Sequence, residues 1–253
     1  MTCDNLWQMS AMEKKIAVFV PRRTFKVPAT ASAFIDVNIA EPDLCADNLT
    51  LTTWTSSFVL ANQLHKFNVK FGDDEHIPIL ELGAGTALVG LTAATLWRKK
   101  TILTDLPGIV PGLRTNVDLN PAATEAASGE IQCGALDWRK PDILELENGD
   151  QLVASKGVKA SIIFAADTIY DEEHPELLSN AILTWLARTQ NARAILTYAL
   201  RVAYLDQVRE IWTMLEEGGL EAESHGQEQA NTKQWEDDDE RLCEWVIWRW
   251  KTT

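Results

Sequence analysis

The sequence predicts an α/β protein on a mostly parallel sheet with helices on both faces, and three features carry that prediction. From Ile77 onward, apolar runs alternate with helical patterns, as βαβ units and a parallel sheet require. The first run, with Ile77, Ile79, Leu80 and Leu82, breaks into Gly83-Ala84-Gly85-Thr86 ahead of a helical stretch. Two glycines there let the backbone turn sharply and approach a nucleotide-like ligand with no Cβ in the way. The last two strand-like segments, 220–224 and 242–250, have no helix between them, so they are expected to pair antiparallel.

Residues 1–53 read as an N-terminal β-rich extension, with β-prone runs at 16–20, 34–39 and 49–53 interrupted by Pro21, Pro28 and Pro42. The remainder, 54–253, reads as the main domain. Thr55 or Ser56 is placed to cap a helix whose Phe58, Ala61, Leu64 and Phe67 share one face, and Gly72-Asp73-Asp74 closes that segment. Strands follow at 79–82, 101–104, 131–136, 161–166 and 194–198, with helices at 87–97, 107–119, 175–189 and 203–217. Pro107 and Pro175 suit a first helical turn, and Gly218-Gly219 suits a stop. The run Glu236-Asp237-Asp238-Asp239-Glu240 reads as a solvated loop, with docking as its alternative role.

Composition narrows the function. At 253 residues and 46% hydrophobic, the chain can build a sizeable core. No run approaches a membrane span, and the first residues lack the layout of a signal peptide; a soluble protein of the cytoplasm is expected, with the nucleus as alternative. Four cysteines and four histidines lie scattered without ligand spacing, so neither a metal site nor a disulfide framework is expected. A net charge of −14 disfavours nucleic acid and leaves a basic protein surface or a cationic group as the natural complement.

Ligands of open parallel sheets bind beyond the carboxyl ends of the strands, and several acids fall at that edge. Glu81 sits inside an apolar strand, where an acid is costly unless paired or facing a polar ligand. Asp105 ends the second strand, where it can accept from ribose hydroxyls or cap a helix before Pro107. Asp137-Trp138 can hold an adenine, or be a core tryptophan beside a solvated acid. Asp167 in Asp167-Thr168-Ile169-Tyr170 is a candidate for the chemistry or a helix-start acid, and Asp171, Glu172 and Glu173 form an acidic rim. The dinucleotide fingerprint wants glycine at Leu88, which argues against NAD, while Gly90 keeps that question open.

Together these segments, including Leu113-Arg114-Thr115-Asn116-Val117-Asp118-Leu119-Asn120, resemble the lysine-directed branch of the seven-β-strand S-adenosylmethionine-dependent methyltransferases, methyltransferase family 16. The likeness runs from about Trp54 to the end. It implies a Rossmann-like sheet of seven strands with the last antiparallel. It also implies that Trp54, Glu81, Gly83, Gly85, Thr86 and Ala166 line the cofactor, Asp105 and Leu106 its ribose and adenine, and Asp137 and Trp138 the adenine edge. Asp167 and Tyr170 match the D-x-x-Y signature on the methyl-acceptor side. The resemblance implies an S-adenosylmethionine-dependent protein-lysine N-methyltransferase without a metal, leaving S-adenosylhomocysteine as product. A monomer acting on a protein with an accessible lysine is expected, with an elongation factor or a chaperone as the natural guess. Rival readings are an arginine or small-molecule nitrogen acceptor, or a non-catalytic adaptor.

A lysine acceptor, with an ordinary pKa of about 10.4, must lose a proton before it attacks. Asp167 is expected to capture and aim the amine, and Tyr170 to supply an aromatic wall and a hydroxyl.

Overall fold

The computed structural model describes residues 21–46, 49–71, 77–128, 130–230 and 242–252. The expected run at 16–20, the Gly72-Asp73-Asp74 stop and the acidic run at 236–240 lie outside the described residues.

The chain enters through a hairpin, β1 (Arg22–Pro28) and β2 (Phe34–Ala40), and a short pair, β3 (Cys45–Ala46) and β4 (Leu49–Thr50). Next come α1 (Thr55–Gln63), β5 (Ile77–Leu82), α2 (Leu88–Trp97), β6 (Thr101–Asp105), α3 (Val110–Asp118), α4 (Pro121–Ala126) and β7 (Ile131–Ala135). A meander of β8 (Ile143–Leu146) and β9 (Gln151–Val153) leads to β10 (Ala160–Ala166), α5 (His174–Trp185), β11 (Arg193–Ala199), α6 (Leu205–Glu217), β12 (Leu220–Gln229) and β13 (Leu242–Trp250).

The main sheet runs β12-β13-β11-β10-β5-β6-β7-β8-β9. Its first seven members are the expected seven, and among them only β13 runs against its neighbours, between β11 and β12. β10 is buried along its whole length, as a central parallel strand covered on both faces must be. The antiparallel β8 and β9 extend the β7 edge beyond expectation. Their turn signal was present in Asn148-Gly149-Asp150, where Gly149 has φ +88°.

Three boundaries differ from the sequence reading for physical reasons. Neither Thr55 nor Ser56 caps α1; both are buried inside its first turn, and Trp54 is the N-cap residue without a side-chain bond. α3 starts at Val110 because the chain first makes a turn, with Ile109 N–H donating to Leu106 O. α5 stops at Trp185 because the chain straightens at Leu186 and bridges to Ala160, where Ala187 N–H donates to Ala160 O at 2.8 Å.

β1, unforeseen in the sequence, alternates exposed Thr24 and Lys26 with buried Phe25 and Val27. Phe25 and Val27, with Val37 and Ile39 of β2, share a core with Val59 of α1, Leu88 and Leu91 of α2, and Leu113 of α3. Two asparagines staple β2 to α3 and to the start of α4. Asn116 accepts from Ala40 N–H at 2.7 Å and donates to Ala40 O at 3.0 Å; Asn120 does the same with Asn38 at 2.8 and 2.7 Å. Each side-chain amide thus replaces a strand partner at the hairpin edge. Among the described residues no helix is long and apolar enough to cross a membrane.

Candidate active site

A cavity of about 370 Å³ opens at the carboxyl edge of β5, β6 and β10. Gly83, Gly85, Thr86, Asp105, Leu106, Asp137, Trp138 and Ala166 line it, as do Trp54, Asp167 and Tyr170. Of the residues expected at the cofactor and the methyl acceptor, Glu81 alone does not; of the acidic rim, Asp171 and Glu173 line the cavity and Glu172 does not.

The turn after β5 shows why two glycines stand there. Gly83 has φ +62°, and a Cβ on it would lie 2.9 Å from Thr168 Cγ2 and 3.1 Å from Trp138. Gly85 has φ +53°, but a Cβ there meets no atom within 4 Å. The first glycine is therefore required by close packing, and the second keeps open space along the cavity. Asn116 also donates to Thr86 O at 3.0 Å, so the asparagine that staples the hairpin steadies this turn.

Glu81 differs from expectation. It is 2% exposed and turns away from the cavity, under the first turn of α2, where Oε2 accepts the Gly90 N–H at 2.9 Å. A Cβ on Gly90 would lie 2.4 Å from that oxygen and 2.2 Å from Leu103, so this glycine makes room for the acid. Burial, opposed by the Gly90 bond and aided by the nearby Asp105 charge, pushes its pKa up to about 8.

Asp105 lines the cavity and is gripped by backbone. Its Oδ2 accepts Gly85 N–H at 2.8 Å and its Oδ1 accepts Leu106 N–H at 2.7 Å. It does not cap α3, which starts five residues later. Burial outweighs the two N–H groups and pushes its pKa up to about 6. Asp137 is the opposite case: Arg139 donates to it at 2.8 Å from Nε and holds the carboxyl below its usual range. Trp138 meets the ring of His174 at 5.8 Å, and Tyr170 meets the same ring at 4.3 Å, so three aromatic rings form one wall.

Asp167 sits at φ +59°, a conformation uncommon for a residue other than glycine, though aspartate tolerates it better than most. Its N–H still donates to Thr197 O at 2.9 Å, so the sheet pairing continues through it. Arg201, just past β11, donates from Nη1 to Oδ1 at 2.8 Å and from Nη2 to Oδ2 at 3.5 Å. Ser56 N–H also donates to Oδ2 at 3.3 Å. The side chains are 3% and 15% exposed, and the Arg201 guanidinium lies 5.7 Å from the Trp54 ring. Asp167 is therefore not the bare carboxylate expected from the sequence. Arg201 and His174 were missed, although Arg201 follows a parallel strand by the same rule that selected Asp167.

The residues fit a nucleoside-bearing cofactor. The cavity combines a backbone cradle left open at Gly85, an acid at the second strand end with lone pairs remaining, and a tryptophan wall.

A family model for lysine methyltransferases matches residues 38–210, starting within β2 rather than near Trp54. The protein-lysine N-methyltransferase EFM2 of Saccharomyces cerevisiae is 33% identical over 202 residues, 73% of this chain and 45% of its own length. The protein-lysine N-methyltransferase rrg1 of Schizosaccharomyces pombe is 29% identical over 251 residues, 98% of this chain and 76% of its own. The chain thus spans less than half of the first relative and about three quarters of the second. Among solved structures, SMU.776, assigned as a methyltransferase and solved with SAH, has a TM-score of 0.51 at 13% identity. That likeness covers 89% of this chain and 55% of that one, and it speaks for the fold alone. With the family model spanning more than half of its residues, the chain belongs to the lysine methyltransferase family.

Proposed function

We propose that the protein is an S-adenosylmethionine-dependent protein-lysine N-methyltransferase. The observation that carries the reading is the meeting, in one cavity, of the Gly83–Gly85 turn and Asp105 with Asp167 and Tyr170. The family match and two relatives named protein-lysine N-methyltransferases support it. The reading keeps residues 54–253 as the catalytic part and 1–53 as its extension, from which Thr50, Leu51 and Thr52 reach the cavity wall. A monomer of the cytoplasm acting on a protein, without nucleic acid or membrane, completes the proposal.

S-adenosylmethionine supplies an electrophilic methyl group on a sulfonium. In this reading Gly83, Gly85 and Thr86 hold its amino-acid end, and Asp105 accepts from the ribose hydroxyls. Leu106, Asp137, Trp138, Ala166 and Trp54 enclose the rest. Glu81, lying behind the turn, is assigned a positioning role on the first turn of α2.

The protein then has two tasks, orientation and management of one proton. An isolated carboxylate beside the acceptor would hold the lysine as an ammonium and oppose its deprotonation. Arg201 cancels most of that effect. Asp167, already ion-paired, can aim the amine through a remaining lone pair without raising its pKa as a lone anion would. The Tyr170, His174 and Trp138 rings supply a wall that orients the amine and limits the water around it.

Two measurements test the reading. Calorimetry should show binding of S-adenosylhomocysteine and none of NAD; binding of NAD alone would overturn the cofactor assignment. Asp167→Asn should bind S-adenosylhomocysteine nearly as the parent does and lose methyl transfer. Intact turnover in that variant would remove Asp167 from the mechanism.

A further inference from the structure

A second cavity, of about 830 Å³, lies at the opposite end of the sheet from the first. It is bounded by the start of β11 at Arg193, the residue before β12 at Gly219, the end of β13 at Trp250 and the segment 67–70. In a chain of net charge −14, its charged lining is inverted: Lys70, Arg188, Arg193, Arg249 and Lys251 face a single acid, Glu223.

The five cations divide into two groups. Arg193 holds Glu223 in a fork, Nε to Oε2 at 2.6 Å and Nη2 to Oε1 at 2.8 Å, while Arg249 binds Glu221 at 2.9 Å. Those two are neutralised by the protein's own carboxylates. Lys70, Arg188 and Lys251 meet no carboxylate among the described residues. Lys251 Nζ donates to a backbone carbonyl, Glu216 O, and Arg188 stacks 4.0 Å over the indole of Trp250. That indole is fixed in turn, its Nε1–H donating to Ala187 O at 2.8 Å. Stacking covers the face of the Arg188 guanidinium and leaves its donor edges free to fork onto a carboxylate. Phe67, Val69 and Ile247 add apolar floor between the charges.

We propose that this groove docks an acidic, partly apolar peptide segment of a partner protein. Three cations that meet no carboxylate among the described residues, set around an apolar floor, match carboxylates alternating with aliphatic side chains. The neighbouring Arg193–Glu223 fork shows the same contact made within the chain. Nucleic acid fits less well. It needs a longer basic track against a −14 background, and Arg188 covers the indole face on which a base would stack.

The test is fluorescence anisotropy of the full chain with a short fluorescein-labelled peptide alternating glutamate and leucine. The peptide should bind, weaken as salt rises, and resist displacement by S-adenosylhomocysteine. Joint replacement Lys70→Glu, Arg188→Glu and Lys251→Glu should weaken it by about tenfold or more, because three attractive charges are lost and three repulsive ones are gained. If that variant fails to fold, Lys70→Gln with Lys251→Gln should weaken binding by about threefold. Absence of peptide binding, unchanged affinity in the folded variant, displacement by S-adenosylhomocysteine, or tighter binding of an oligouridine overturns the proposal. None of these readouts depends on methyl transfer.

Discussion

Asp105 and Asp167 end two strands of the same sheet and line the same cavity, but their surroundings differ in kind. Asp105 is held by two backbone N–H groups without an ion pair among the described residues, and burial pushes its pKa up to about 6. Asp167 is held by a guanidinium at 2.8 Å, in a backbone conformation that tertiary structure must enforce. The first arrangement offers an anion to neutral donors such as hydroxyls. The second is a nearly neutral pair, which under the proposed function would face an amine that must shed its own charge. In the proposed function, one residue type at one topological position serves two chemistries, set by the loops at the ends of the neighbouring strands: the Gly85 turn after β5 for Asp105, and Arg201 after β11 for Asp167.

The contrast breaks first, and most visibly, in stability. Asp167→Asn should cost about 3 kcal/mol by leaving Arg201 buried without its partner, and Arg201→Met a similar amount. The double variant should cost well below the sum, measured by urea unfolding. Additive losses would mean that the pair is not coupled. Asp105→Asn should instead cost less, about 1 kcal/mol, since one of its two backbone N–H bonds is lost while a buried charge is removed, and it should weaken S-adenosylhomocysteine binding by about 10- to 100-fold, the worth of one or two bonds to a charged acceptor. Equal effects of the two substitutions would erase the distinction.

A smaller effect concerns the electrostatics behind the turn. Glu81 has a folded pKa of about 8 against an ordinary 4.5. As pH rises through that window the unfolded chain releases the proton first, so the folded form binds more protons and stability falls; above 8 the loss levels off. Asp105 acts in the same direction up to about 6. Between pH 5 and 8 the slope should be on the order of 1 kcal/mol per pH unit. Glu81→Gln should flatten it, and an unchanged slope would assign the effect elsewhere.

The smallest effect separates the two glycines. Gly83→Ala and Gly85→Ala each place a Cβ at positive φ, at about 1 kcal/mol. Only the first collides with Thr168, so it should lose more stability in thermal melts. Gly85→Ala should lose cofactor affinity out of proportion to its stability.

Much of this arrangement was legible in the sequence because buried parallel strands are predominantly apolar and their ends are marked by polar residues. Ile79 to Leu82, Asp105, Asp137 and Asp167 are of that kind. Glu81 was misjudged because its direction depends on strand register against α2, which shows only when Gly90 is placed opposite it. Arg201 was missed because its partner lies 34 residues away and no local pattern joins them. β1 escaped notice because its two inward residues stand among Arg22, Arg23 and Lys26 between prolines. The meander of β8 and β9 hid in runs too short to show a period.

If this cavity passes methyl groups from S-adenosylmethionine to a lysine side chain, the acceptor can be read from the label it receives. The protein and its Asp167→Asn variant are each incubated with isotope-labelled S-adenosylmethionine and a cell extract, and the labelled residue is identified by mass spectrometry. Label should appear on a lysine of a protein and be lost with the variant. Label on arginine or another residue, label confined to small molecules, or equal labelling by the variant would contradict a lysine methyltransferase built around Asp167.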